Sequence, residues 1–175
     1  MTPVEIAAAA NALLVAERSG RQCGLLSLAH PGMGSDEAYA VQVAVVAAKI
    51  AAGAQRIGPK IGLTSRCLQQ ALNTRTPHRG LLPDGLFVQF RHTVRAGRFI
   101  QPRIEAGIAF VMQAPLKGAS VTRADVVAAT GHVAPSLEIL DTRIMRADPA
   151  SGKSRVIEDT ISDNAANAGV VLGVE

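Results

Sequence analysis

Tryptophan is absent from the 175 residues, and one tyrosine and four phenylalanines make up the whole aromatic content. The core must therefore be assembled from Ala, Val, Leu and Ile. The same scarcity argues against a nucleic-acid surface. The densest basic stretches, Arg75-Thr76-Pro77-His78-Arg79 and Arg91-His92-Thr93-Val94-Arg95, have no aromatic side chains interleaved among them. With a net charge of +4, they suit a small polyanionic substrate better.

Cysteine is nearly as rare. Cys23 and Cys67 are the only two, and no Cys-x-x-Cys occurs. Cys or His ligands at zinc spacing are missing, and the chain is expected to be reduced and cytoplasmic. A long apolar run is missing too: Ala7 to Val15 is too short to span a bilayer, and neither a positively charged leader nor a cleavage pattern precedes it. There is no nucleophile elbow, phosphate loop, dinucleotide fingerprint, internal repeat or low-complexity tract.

What is present is a folded chain, 48% apolar and 18% charged, long enough for one domain. Thr2-Pro3-Val4-Glu5 is a capping box with proline in the first turn, and predicts a helix to about Ser19, ended by Gly20. Ser35 is expected to cap a second helix with Asp36 and Glu37 at its positive end, stopped by Gly53. After Arg56 the pattern changes to short strands and turns: 58–65, 80–88, an edge element at 93–99, and the clearest strand at 104–112. A short helix is expected at 66–72. Thr122 to Asp125 is a second capping box, followed by a strand at 133–140. The expected class is α+β, with an N-terminal helical region at 1–55 packed on a mixed β region at 56–175. Val170 to Leu172 reads as a strand whose partners should follow, so the sheet is expected to be incomplete at its C-terminal end.

Glu105 and Glu138 stand out because each is a lone carboxylate in an apolar strand-like run. Such a group is costly unless paired, protonated or metal-bound. By alternation Arg103, Glu105, Gly107 and Ala109 share one strand face, while Ile104, Ala106, Ile108 and Phe110 share the other and can pack the core. Two hard oxygen ligands suit Mg²⁺ or Mn²⁺; a structural pair with Arg103 or Arg143 is the competing reading. Lys60, between glycines in an uncharged stretch, is either a proton carrier near a metal or an ordinary strand-edge lysine. Asp84 lies in a Pro-Asp-Gly turn, where Asp is usually structural. His78 and His132 are possible acid–base groups, but neither has a sequence partner that makes the case, and a solvated loop position is the preferred reading.

Several blocks carry a family resemblance: Lys60-Ile61-Gly62-Leu63-Thr64-Ser65, Gly80-Leu81-Leu82-Pro83-Asp84-Gly85-Leu86-Phe87, Pro102-Arg103-Ile104-Glu105, Pro135-Ser136-Leu137-Glu138-Ile139-Leu140-Asp141, and Asp159 to Gly169. In this order they resemble the hydratase and decarboxylase branch of the fumarylacetoacetate hydrolase superfamily. The resemblance implies a mixed β-roll behind an N-terminal helical region, usually in an oligomer, and Mg²⁺ or Mn²⁺ held by three carboxylates. Two correspond to Glu105 and Glu138; the third belongs two residues after the first, where this chain has Gly107. It further implies a hydro-lyase that adds water to a 2-oxo-alkenoate diacid, 2-oxo-hept-4-ene-1,7-dioate, in aromatic-compound catabolism. Lys60 would move the proton and Asp84 would orient water or substrate, with Ser65, Arg79 and Arg103 as substrate contacts. A 2-oxo-3-enedioate decarboxylase is the nearest alternative. An impaired, truncated paralogue or a subunit supporting a related chain is another, motivated by Gly107 and by family members continuing further.

Overall fold

The computed structural model describes residues 1–71 and 77–173. Arg75 and Thr76 of the first basic stretch, and Leu72 at the end of the expected short helix, lie outside them.

Helix α1 (Pro3–Ser19) begins and ends where its capping signals place it. Thr2 Oγ1 accepts from Glu5 N, Glu5 reaches back to Thr2 N, and Gly20 closes the helix in the left-handed region at φ 67. A single-turn helix α2 (Leu26–Ala29) leads to α3 (Ser35–Ala51). The cap of α3 differs from expectation by one residue. Gly34 is the N-cap, its amide donating to Glu37 Oε2 at 3.0 Å, and Ser35 is already helical. Small side chains let α1 and α3 pack closely. Ala9, Ala10 and Leu13 meet Val41 and Val45, and Leu25, Leu26 and Ile144 close the core. No helix among the described residues is long and apolar enough to cross a membrane.

Strand β1 (Arg56–Gly62) is followed by α4 (Arg66–Ala71) and β2 (His78–Pro83), and β1 and β2 form an antiparallel ribbon. Strands β3 (Phe87–Val88), β4 (Arg103–Met112), β5 (Thr130–Leu140) and β6 (Asn167–Leu172) make a second sheet in the order β3-β6-β5-β4. It is mixed: β3 runs parallel to β6 and the other pairs are antiparallel. Helices α5 (Arg123–Ala129), with the Thr122–Asp125 box intact, and α6 (Ile157–Ser162) complete the α+β fold. Bonds tie the helical region to the rest. Gln42 in α3 donates to Arg79 O and Ile161 O, and Cys23 exchanges backbone bonds with Arg143 and Met145.

Three expectations are corrected. Strand β6 finds its partners earlier in the sequence, since it lies between β3 and β5. The stretch 93–99 is turn and bend, not an edge element. Arg91 and Gly97 take positive φ, and the Asp141 carboxylate accepts from Ile100 N and Gln101 N, which holds this chain as a loop. The Ile104 face of β4 does not pack the core either. Ile104, Ile108 and Phe110 are 63%, 69% and 59% exposed, because β4 is an edge strand and no described element covers that face.

Candidate functional site

The β4–β5 register sets Glu105 directly opposite Glu138, and Gly107 opposite Ser136 on the same face. Directly opposed residues have Cβ atoms ~5 Å apart, so the two carboxylates picked out in the sequence are neighbours. A Cβ on Gly107 would lie 3.1 Å from Ser136 Oγ, so this face narrows beside the carboxylates.

Lys60 joins them from the other sheet. Its ammonium lies 3.0 Å from Glu138 Oε1, and both side chains are mostly buried, at 12% and 14% exposure. Lys60 also donates to Ala165 O at 3.0 Å, and Asn167 Nδ2 donates to Glu138 Oε1 at 2.7 Å. The buried-pair reading for Glu138 is thus met by a lysine, not by Arg103 or Arg143. Arg143 instead binds Asp163 through Nε and its own amide, and reaches Asn167 O at 3.2 Å. Burial works most strongly against the charge on Arg143, but the Asp163 carboxylate and its hydrogen bond, joined by the charges of Glu17 and Asp141, together outweigh it and the guanidinium pKa is raised.

The connection that delivers Ala165 O is strained. Asn164, Ala165 and Ala166 are consecutive residues at φ 52, 55 and 59. Left-handed backbone costs roughly 1–2 kcal/mol per non-glycine residue, so the segment needs external support. Asn164 provides it by a two-way clamp on Leu81, 2.8 Å in each direction, and Asp141 N donates to Ala166 O at 2.9 Å. Gly80 is required for this clamp, since a Cβ there would stand 2.9 Å from Asn164 O.

The remaining candidates are more dispersed. Asp84 accepts from Gln55 N and Gly85 N and so holds its own turn, four strand positions (~13 Å) along the chain from the Gly80 that pairs with Lys60. Arg79 pairs with Ile61 on the ribbon face away from Lys60 and stacks over Tyr39, 4.8 Å from the ring centroid. That placement gives no support to a contact with substrate beside Lys60. Ser65 is exposed before α4, with its carbonyl accepting from Gln69 N. Arg103 is exposed on the Glu105 face, two residues away. Among the described residues no three His, Cys, Asp or Glu side chains converge as a metal site.

No family model matches the chain. It is 44% identical over 158 residues to the 2-oxo-hept-4-ene-1,7-dioate hydratase of Escherichia coli, covering 90% of this chain and 59% of that protein. It is 39% identical over 163 residues to the 2-hydroxyhexa-2,4-dienoate hydratase of Comamonas testosteroni, covering 92% and 60%. This chain is a homologue of the hydratases. Its fold matches that of the 4-oxalocrotonate decarboxylase from Pseudomonas putida G7, solved with magnesium and adipate, with a TM-score of 0.89 and 30% identity over 99% of this chain and 64% of that one. The same decarboxylase has also been solved with calcium and acetate. The hydratase homologue thus spans about three-fifths of the length of its curated relatives, 59% and 60% in the two cases above.

Sequence reasoning missed Asn167 and misplaced both histidines: His132 is exposed but lies within β5, not in a loop. His78 is not a solvated loop residue. It opens β2, is 8% exposed, and pairs with Gly62 on the Lys60 face of the ribbon. Burial, then the Lys60 charge, lower its pKa from 6.5 to about 4. The hydratase homologue should therefore lose stability on acidification. The folded His78 takes up a proton only near pH 4, but the unfolded one takes it up near 6.5. Stability from this group is full above about 6.5 and falls as pH drops towards 4. Melting temperatures of wild type and His78→Gln across that window should diverge, with the wild type falling faster; parallel curves would contradict the assignment. Asn167 could have been suspected only from the Asn-rich run after Asp163.

Proposed function

We propose that this chain acts as a divalent-metal-dependent hydro-lyase on a 2-oxo-alkenoate, with 2-oxo-hept-4-ene-1,7-dioate as substrate and 4-hydroxy-2-oxoheptanedioate as product, in aromatic-compound catabolism. The observation that carries the reading is the meeting of Lys60 with Glu138 directly across the ladder from Glu105. The names of the hydratase relatives support the reaction class, and a β-roll of the fumarylacetoacetate hydrolase type is the architecture this reading assumes.

Glu105 and Glu138 would hold Mg²⁺ or Mn²⁺. The donor set fits a hard cation, because both are carboxylates on one face with small neighbours, Gly107 and Ser136, that leave room for water and substrate oxygens. When bound, such an ion polarises a 2-oxo acid carbonyl. The protein side chains do the rest. Lys60, anchored between Glu138 and Ala165 O, carries the proton that must move during ketonisation of the dienol and the conjugate addition of water. Asn167 fixes the Glu138 carboxylate so that Lys60 cannot swing it away. Arg103, on the Glu105 face, would bind the distal carboxylate of a diacid.

The ion-bound decarboxylase of the same fold supports the second reading, a 2-oxo-3-enedioate decarboxylase. Purified chain incubated with Mn²⁺ or Mg²⁺ and the dienoate separates the readings. A hydroxylated product keeping both carboxylates supports the hydratase, and released CO₂ supports the decarboxylase. No turnover alone, with activity gained only beside a related subunit, would support an impaired paralogue. The exposed Ile104, Ile108 and Phe110 face favours association with another copy or a related chain.

A further inference from the structure

The ribbon face that carries Lys60 holds one more basic side chain that the mechanism above leaves idle. Among the described residues, His78 Nδ1 is buried with no hydrogen-bond partner. The other ring nitrogen, Nε2, borders the space over Gly62: a Cβ there would come within 3.0 Å of His78 Nε2 and 3.3 Å of Lys60 Nζ. Gly62 takes no left-handed φ, so its missing side chain serves not backbone freedom but the close approach of the imidazole and the ammonium over it. The two nitrogens flank that space, and one of them continues to Glu138.

The state of the ring follows from its neighbours. A second positive charge beside the Lys60 ammonium, in a buried position, is disfavoured, so the imidazole is neutral and carries one N–H. Placed on Nδ1, that hydrogen would be a buried donor without an acceptor, a rare and costly arrangement. Assigned by hydrogen-bond satisfaction, it belongs on Nε2, at the Gly62 space.

We propose that His78 is a further catalytic residue of this site: its uncharged Nε2–H donates a hydrogen bond to an oxygen of the 2-oxo acid beside Lys60, stabilising the negative charge that grows there as the enolate forms. This rests on the function proposed above. A neutral donor suits the place. It strengthens as the oxygen gains charge and, unlike a second cation, does not compete with Lys60 for Glu138.

His78→Leu removes the donor together with the orphan nitrogen. Its melting temperature should equal or exceed that of the wild type, because a buried unpaired polar atom is gone. Its kcat/KM should fall about 100-fold, mostly in kcat, the usual scale for losing one oxyanion donor. His78→Gln, which can return an N–H near the same point, should recover most of the loss. In the wild type, ¹⁵N-histidine NMR should show His78 protonated at Nε2 only, and oxalate, a planar mimic of the enolate of a 2-oxo acid, should shift that Nε2 signal. Protonation at Nδ1, an Nε2 signal unmoved by saturating oxalate, or unchanged kcat/KM in His78→Leu would each overturn the proposal. A chain that hydrates no 2-oxo-alkenoate but shows the oxalate-dependent shift would overturn the hydratase reading and leave the His78 donor standing.

Discussion

Gly107→Glu should raise the affinity for Mn²⁺ by about 100-fold, equivalent to ~2.7 kcal/mol. The position is two residues from Glu105 on the same face, and its cross-strand partner is Ser136. The new Cβ must displace Ser136 Oγ from 3.1 Å by a few tenths of an ångström. A serine hydroxyl can rotate to allow this, and β4 is an exposed edge strand that can accept the longer side chain. The added carboxylate has opposite effects with and without metal. In chelator, three carboxylates on one face repel one another, and the variant should melt below the wild type. With Mn²⁺ the order should reverse, because ligation stabilises only the folded state. Calorimetric titration and melting curves in both conditions check this. Equal Mn²⁺ affinity for the two proteins would mean that the Glu105–Glu138 pair is not the nucleus of a metal site, and the proposed function would lose its central support.

Arg143→Met should destabilise the protein by about 3–5 kcal/mol, the scale for removing one partner of a buried ion pair. Asp163 is essentially inaccessible, and Arg143 supplies its side-chain counter-charge as well as the donors to Asp163 O and Asn167 O. The loss would not stay local. Arg143 secures the backbone of Asn167, whose side chain holds Glu138 in place for Lys60. Chemical denaturation should show an earlier midpoint with an unchanged slope. The double variant Arg143→Met, Asp163→Asn should recover a large part of the loss, because the amide oxygen can still accept from the backbone of residue 143 without leaving a buried charge. A single-variant loss under ~1 kcal/mol would show that the pair is not desolvated as the structure describes.

Much of the architecture is local and could be read along the chain. Helix α1 starts at a capping box and ends at a glycine, because both signals act within one turn. The strands expected at 104–112 and 133–140 lie within a few residues of their observed bounds, and their register sets the two lone carboxylates, Glu105 and Glu138, opposite each other. The misses have a common cause. The apolar alternation of β4 marks a face that wants cover, but not whether this chain supplies the cover, and here Ile104 and Ile108 remain exposed. His78 looked like a loop residue because its neighbours in sequence are polar, whereas its burial comes from β1 and from Lys60. Asp84 reads equally well as a turn residue or a catalytic one, and its bonds to Gln55 and Gly85 put it in the turn.

The sequence by itself determined the kinds of element, the strand faces and the identities of the acidic and basic groups, since capping, alternation and side-chain chemistry depend only on near neighbours. Only the tertiary structure decided that Lys60 meets Glu138, that Arg143 meets Asp163, and that three left-handed residues, Asn164 to Ala166, carry a carbonyl to the Lys60 ammonium. Those pairings join residues from 20 to 105 positions apart. They follow from strand register and from how two sheets and a strained turn share one interior, which no short-range pattern encodes.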